Sequence, residues 1–250
     1  MKEIKNFKES SLISPKATIG KNCIIRPYVV IMDNVRIGKD CKIGSGTIIG
    51  SEPFDINFKN EISYVEIGDN NTIKEFVTIS RATGKYQKTI IGNNNFIGAY
   101  VHIGHNAKIG NNTVITNFSQ IAGYCEINDY ANIGGMSGMH QYCRVGKYAM
   151  VGACSYLTKD LPPYFIGQGN PFRVCGVNVV GLKRNGFSAK QIRIIKQVYK
   201  IIYHSKYCLT DAIKIIRDTV PNDTVVKVLL EFIQTSKRGI VLKPEILLDQ

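Results

Sequence analysis

A chain of 250 residues that is 44% hydrophobic, with 23 glycines, can bury a sizeable core as one large domain or one domain with an appendage, and wholesale disorder is excluded. Its formal charge of +13 favours anionic partners, but Lys and Arg are scattered rather than gathered in a tract, which argues against a nucleic-acid module. No stretch approaches 18 uncharged apolar residues and the opening MKEIKNFKES carries no apolar run, so neither a transmembrane segment nor a signal peptide is expected, and the location expected is cytoplasmic.

From Ile13 onward an aliphatic residue recurs every sixth position: Ile13, Ile19, Ile25, Ile31, Ile37, Ile43 and Ile49. The same phase returns at Ile67, Ile73 and Ile79, and runs again from Ile91 through Leu157, so the interrupting segments preserve the count. A period of six fits neither an amphipathic helix nor one long alternating strand. It fits a solenoid of three short faces per coil with the aliphatic side chain pointing into a triangular core. Eighteen residues then make one coil, and residues 18 apart stack at about 4.8 Å.

The segments near 51–63 and 80–90 read as loop insertions, and about eight coils remain between 13 and 165. The cysteines contain no CxxC pair, and Cys23 with Cys41 and Cys125 with Cys143 are 18 apart. They read as reduced, stacked small residues of the core or a corner rather than redox or metal groups.

The character changes after Pro162, Pro163, Gly167, Gly169 and Pro171. Ser188 with Gln191 forms a candidate capping box ahead of Ile192, Ile195, Val198, Tyr199 and Ile202, which share a helical face. Further helices are predicted over 210–219 and from about 223 to 236. The domains expected are a β-helix over 1–186 and a helical appendage over 187–250, the latter able to cap the last coil or dock an acidic partner.

His102 and His105 flank the core position Ile103, so both are expected outside the core at a coil corner. His140 lies two coils beyond Gly104, which puts three imidazoles on one neighbouring strip of the outer surface. Either of the first two can accept a proton from a hydroxyl, because an unperturbed imidazole titrates near neutrality. A pair of ordinary surface histidines is the competing reading. A zinc site is disfavoured because no carboxylate lies close in the coil. Tyr124, Gln141, Asn117, Gln120, Arg144 and Lys147 are placed near the strip as possible anion donors, and Asn57 and Lys59 in the first insertion are available for a phosphate or sugar.

The hexads together with VHIGHNAKIG, GGMSGMHQYCRVG, KDLPPYFIGQGNP and GVNVVGLKRNGF resemble the bacterial UDP-N-acetylglucosamine O-acyltransferases over nearly the whole chain. The resemblance implies a left-handed parallel β-helix with a small C-terminal α-helical domain, assembled as a homotrimer with clefts between neighbours. It implies transfer of an R-3-hydroxyacyl group from acyl carrier protein to the 3-hydroxyl of UDP-N-acetylglucosamine, the first step of lipid A biosynthesis. No permanently bound cofactor or metal is implied; the 4'-phosphopantetheine belongs to the acyl carrier protein donor.

By the same resemblance His105 is the general base and the Gly123 amide stabilises the tetrahedral oxyanion. Asn57, Lys59, Ser80, His102, Tyr124, His140, Gln141, Asn178 and Arg184 fall on substrate-binding positions, and Met150 and Ala153 on the acyl-chain pocket. Ser80 and Tyr124 stand where the family commonly has histidine, and Asn185 where a second basic residue is typical. These departures leave open N-acyl transfer to the 3-amino analogue of the sugar. Another hexapeptide-repeat sugar acyltransferase, or a non-enzymatic scaffold that binds acyl carrier protein, completes the alternatives.

Overall fold

The computed structural model describes residues 10–242. Most of the amino-terminal stretch read for a signal peptide, and residues 243–250 of the expected helical appendage, lie outside the described residues.

Short strands coil into three parallel sheets, a left-handed parallel β-helix. The first sheet holds the strands from Leu12–Ile13 to Tyr156–Leu157, the second those from Thr18–Ile19 to Arg144–Val145, and the third those from Ile24–Ile25 to Met150–Val151. The aliphatic at every sixth position stacks on its counterpart one coil away, as Ile103 does between Ile79 and Ile121, and all three are fully buried. Each rung thereby continues one dry column, and burying an isoleucine contributes about 2 kcal/mol.

Each corner needs one residue in the left-handed region, and Asn, Tyr and Phe hold most of these places, among them Asn106 and Tyr124, both at φ 59°. Asn tolerates that conformation because its short amide bonds locally. The glycine ahead of the turn has a different cause: a Cβ on Gly104 would come within 2.8 Å of the Ala122 carbonyl carbon of the next coil. Cys41, Cys125 and Cys143 are buried and Cys23 is partly buried, their thiols bonded to backbone carbonyls; burial pushes Cys125 and Cys143 up to about 12, which keeps them protonated and unreactive.

Both interruptions leave from the corner that follows the first sheet, after the strands Ile48–Ser51 and Thr78–Ser80. They are laced together: Tyr64 N donates to Gln87 O, Tyr86 N to Ile62 O, and Gly84 N and Lys59 N both donate to the Glu61 carboxylate.

Beyond the coils, Phe165–Gln168 and Arg173–Val177 form an antiparallel pair that extends the third sheet. Four helices follow: α1 (Val179–Arg184), α2 (Ala189–His204), α3 (Leu209–Thr219) and α4 (Thr224–Gln234). Ser188 and Gln191 make the reciprocal capping box at α2. The helical region is tied to the last coil through Asp160, which is fully buried and accepts bonds from Arg144 N and Ser236 Oγ. Among the described residues no helix is long and apolar enough to cross a membrane.

Candidate active site

His105 occupies the first-sheet corner, the one from which both insertions emerge. The expectation of an exposed wall is corrected for this residue: His105 is only 3% exposed, His102 is half-buried and His140 is exposed. The insertions are the reason, since they fold over the corner at the level of His102 and His105 and leave the later coils uncovered. Phe54 of the first insertion packs its ring 5.4 Å from that of His102.

The second insertion orients His105 through Asn106. Thr83 N donates to Asn106 Oδ1 at 2.9 Å, and Asn106 Nδ2 donates to Thr83 O at 3.0 Å. This two-point pairing admits one amide orientation, because a flip would oppose donor to donor and acceptor to acceptor. His105 Nδ1, 3.0 Å from the same Oδ1, must therefore carry the proton. Nε2 is left as the basic nitrogen, and it faces the Cα of Gly123: a Cβ there would overlap it.

Gly123 has a second property. At several equivalent turn positions the amide is capped by an Asn or Asp one coil on, among them Asp69 N by Asn93, Asn93 N by Asn111, Asn111 N by Asp129 and Ala99 N by Asn117. One coil beyond Gly123 stands Gln141, and among the described residues the Gly123 N–H has no acceptor. A basic nitrogen and a spare amide donor thus meet on one wall.

They line a recess of about 220 Å³ with Phe54, His102, Gln120, Gly138, Gln141 and Tyr156. His102 projects outward from the first sheet with Nδ1 2.8 Å from Thr78 Oγ1, and burial lowers its pKa, an effect that charge on His105 would increase. Tyr124 packs edge-on against His105 and stacks on Tyr142.

Other residues singled out from the sequence sit elsewhere. Ser80 is fully buried with Oγ 3.5 Å from Ser51 Oγ, beneath the insertions rather than in the recess. Asn57 and Lys59 are exposed on the first insertion; Asn57 bonds Asp55 and Lys59 N bonds Glu61. Asn117 belongs to the third-sheet corner and Lys147 to the second-sheet corner, where it pairs with Asp129.

Met150 projects from the third sheet and Ala153 from the corner after it, a different face of the prism from His105. Asn178 is 4% exposed and is the N-cap of α1, with Nδ2 donating to Tyr148 O, while Arg184 ends that helix in solvent. A single chain does not bring these four to the recess.

Two contributors were missed. Asn106 is adjacent in sequence but looked like an ordinary corner residue. Asp55 lies in the first insertion, where its bond from Asn57 N, chiefly, holds the carboxyl below its usual range, with His105 a smaller influence in the same direction. No spacing in the sequence relates that loop to the histidine.

The comparisons with known proteins bear on the whole chain. Residues 16–51 and 88–123 match the bacterial transferase hexapeptide model, and 160–241 match domain 2 of UDP-N-acetylglucosamine O-acyltransferase. An acyl-[acyl-carrier-protein]–UDP-N-acetylglucosamine O-acyltransferase of Thermodesulfovibrio yellowstonii is 42% identical over 251 residues, covering 93% of this chain and 97% of the relative. The chain belongs to the UDP-N-acetylglucosamine O-acyltransferase family. A Sulfurihydrogenibium member of the same name is 42% identical over 250 residues, covering 92% of each.

Solved members of the acyltransferase family share the fold. The UDP-N-acetylglucosamine acyltransferase of Francisella novicida superposes with a TM-score of 0.90 at 36% identity, covering 94% of each chain. That of Bacteroides fragilis does so at 0.84 and 38%, covering 93% of this chain and 98% of its own.

Proposed function

We propose that the chain transfers an R-3-hydroxyacyl group from acyl carrier protein to the 3-hydroxyl of UDP-N-acetylglucosamine, the first step of lipid A biosynthesis. The observation that carries the chemistry is the pairing of His105 Nε2, the ring nitrogen turned away from Asn106, with the uncapped Gly123 amide on one wall. A hydroxyl bound against Nε2 loses its proton as its oxygen attacks the thioester carbonyl. The tetrahedral oxygen takes the Gly123 N–H, where one aimed donor lowers the barrier by about 3 kcal/mol. Collapse expels the thiolate of the carrier's 4'-phosphopantetheine, and the imidazolium returns the proton to it.

His102 and Gln141 in the recess serve the sugar, as does the exposed His140 next to Gln141, with Tyr124 as the packing wall behind His105. Asn57 and Lys59 on the first insertion attend the substrates from outside, and Ser80 supports that insertion from below.

The chain works as a homotrimer, located in the cytoplasm. Supporting the assembly, Met150, Ala153, Asn178 and Arg184 lie on faces that one chain cannot turn toward its own His105. A neighbouring subunit supplies them, Met150 and Ala153 to the acyl chain and Asn178 and Arg184 to the nucleotide. Light scattering on the eluted protein tests this, and a monomeric mass in active fractions would reject it.

The decisive assay incubates the purified protein with UDP-N-acetylglucosamine or its 3-amino analogue and with 3-hydroxyacyl carrier proteins of several lengths, identifying products by mass. Ester formation on the 3-hydroxyl is the expected result. An amide from the analogue alone would assign N-acyl transfer, and no product from either sugar would sink the reading.

A further inference from the structure

The recess beside His105 ends on an aromatic ring that the repeat pattern did not mark. Along the outer face of the first sheet, Thr78, His102, Gln120, Gly138 and Tyr156 stand in register on successive strands. Gly138 is the gap in that column, and the Tyr156 ring fills it from the next rung. A Cβ on Gly138 would come within 2.8 Å of Cδ2 and 3.2 Å of Cε2 of that ring. At about 4.8 Å per rung, Gly138 lies roughly 10 Å from His102.

Phe54 therefore bounds the recess on the His102 side and Tyr156 on the other, with Gln120 and Gln141 along the walls. Its volume of about 220 Å³ is below the roughly 300–1,000 Å³ of sites that enclose a drug-sized ligand, so it holds one ring-sized group. The carboxamides of Gln120 and Gln141 and the imidazole of His102 are set among Ile121, Ala122 and Met139. Such a mixed lining suits a pyranose, which has apolar C–H faces and a polar rim, whereas an alkyl chain would leave the carboxamides without hydrogen bonds. An alkyl chain finds a better surface on the third sheet, where Phe96, Val114 and Met150 expose 40%, 37% and 38% of their area. Tyr156 itself is 42% exposed, so its ring is open to contact.

We propose that Tyr156 is a specificity-determining platform for the sugar: the C–H face of the pyranose packs on its ring while the sugar's polar groups turn to Gln120 and Gln141. The absence of a side chain at Gly138 is what lets the ring reach the recess. The inference rests on the acyl-transfer reading and names a residue that selects the acceptor.

Steady-state kinetics with UDP-N-acetylglucosamine and with carriers of several acyl lengths, each varied in turn, test it. Tyr156→Ala is expected to raise the KM for the sugar nucleotide about tenfold, with the donor KM and the chain-length profile unchanged. Tyr156→Phe keeps the ring and stays within about twofold of the parent. Tyr156→Leu, which retains apolar bulk but no ring, and Gly138→Ala, which displaces the ring, shift the same constant in the same direction. An unchanged sugar KM in folded Tyr156→Ala and Tyr156→Leu overturns the assignment, as does an effect confined to the donor chain-length profile. Inactivity of the parent protein on both sugars would instead remove the transfer reading itself, a distinct result.

Discussion

The carboxamide oxygen of Asn106 lies 3.0 Å from His105 Nδ1 and is held there by a two-point pairing with the backbone of Thr83. A neutral amide thus does what a carboxylate often does for a catalytic histidine: it selects the tautomer and orients the ring. The difference is that it adds no negative charge beside the imidazole.

That distinction is measurable. Asn106→Ala removes the acceptor, and kcat is expected to fall by about 10²-fold with the KM values little changed. Asn106→Asp retains an acceptor oxygen and introduces a charge that favours imidazolium. Its activity should be higher than that of the alanine variant, with the acidic limb of the kcat/KM against pH profile moved to higher pH. A profile identical to the parent's would show that Asn106 does not govern the base.

His105→Ala is expected to lower kcat by about 10³-fold while the assembly elutes unchanged. Gly123→Ala is the complementary test, because its added Cβ would overlap His105 Nε2. The ring must turn away, so turnover should fall at least tenfold although the amide donor remains. Retention of full activity in either variant would reject the pairing of base and donor.

His102 yields a pH prediction with a definite sign. Burial lowers its pKa in the folded chain, so below about pH 6.5 the unfolded chain takes up a proton that the folded chain resists. Its contribution is neutral above that value and destabilising as pH falls through it. Thermal melts of the parent and His102→Asn between pH 5 and pH 8 should converge at the alkaline end, with the parent losing more on acidification. Parallel curves would show that His102 carries no such linkage.

Asp160 anchors the helical region to the last coil. Burial pushes its carboxyl up, against the bonds from Ser236 and Arg144 N, so a neutral acceptor at this place avoids the cost of burying a charge. Asp160→Asn is expected to melt near the parent temperature. Asp160→Ala leaves the Arg144 N–H and the Ser236 hydroxyl unpaired and should cost about 2 kcal/mol. Chemical denaturation followed by circular dichroism distinguishes the two, and equal loss in both would mean that charge rather than hydrogen bonding makes the anchor.

The coil architecture was legible because it is a one-dimensional code. Ile79, Ile103 and Ile121 announce the same inward place, and the count survives both interruptions because each adds a multiple of six residues between the first and second sheets, from Ile49 to Ile67 and from Ile79 to Ile91. The capping box at Ser188 was legible for a related reason: its partners are three residues apart. The burial of His105 was not, since the period says only that a residue beside Ile103 avoids the core, and nothing in it says what lies over the corner.

The sequence by itself determined the prism, the stacking register, the helical appendage and the placement of His102 and His105 on one edge, because each of these follows from contacts repeated at fixed separations along the chain. The tertiary structure decided the chemistry of that edge. The Thr83–Asn106 pairing that leaves Nε2 basic, the approach of Asp55, the uncapped Gly123 amide and the reach of Tyr156 over Gly138 all depend on loop closure, on an omitted cap or on a missing side chain. Such features have no period, since each arises once, where two distant segments meet.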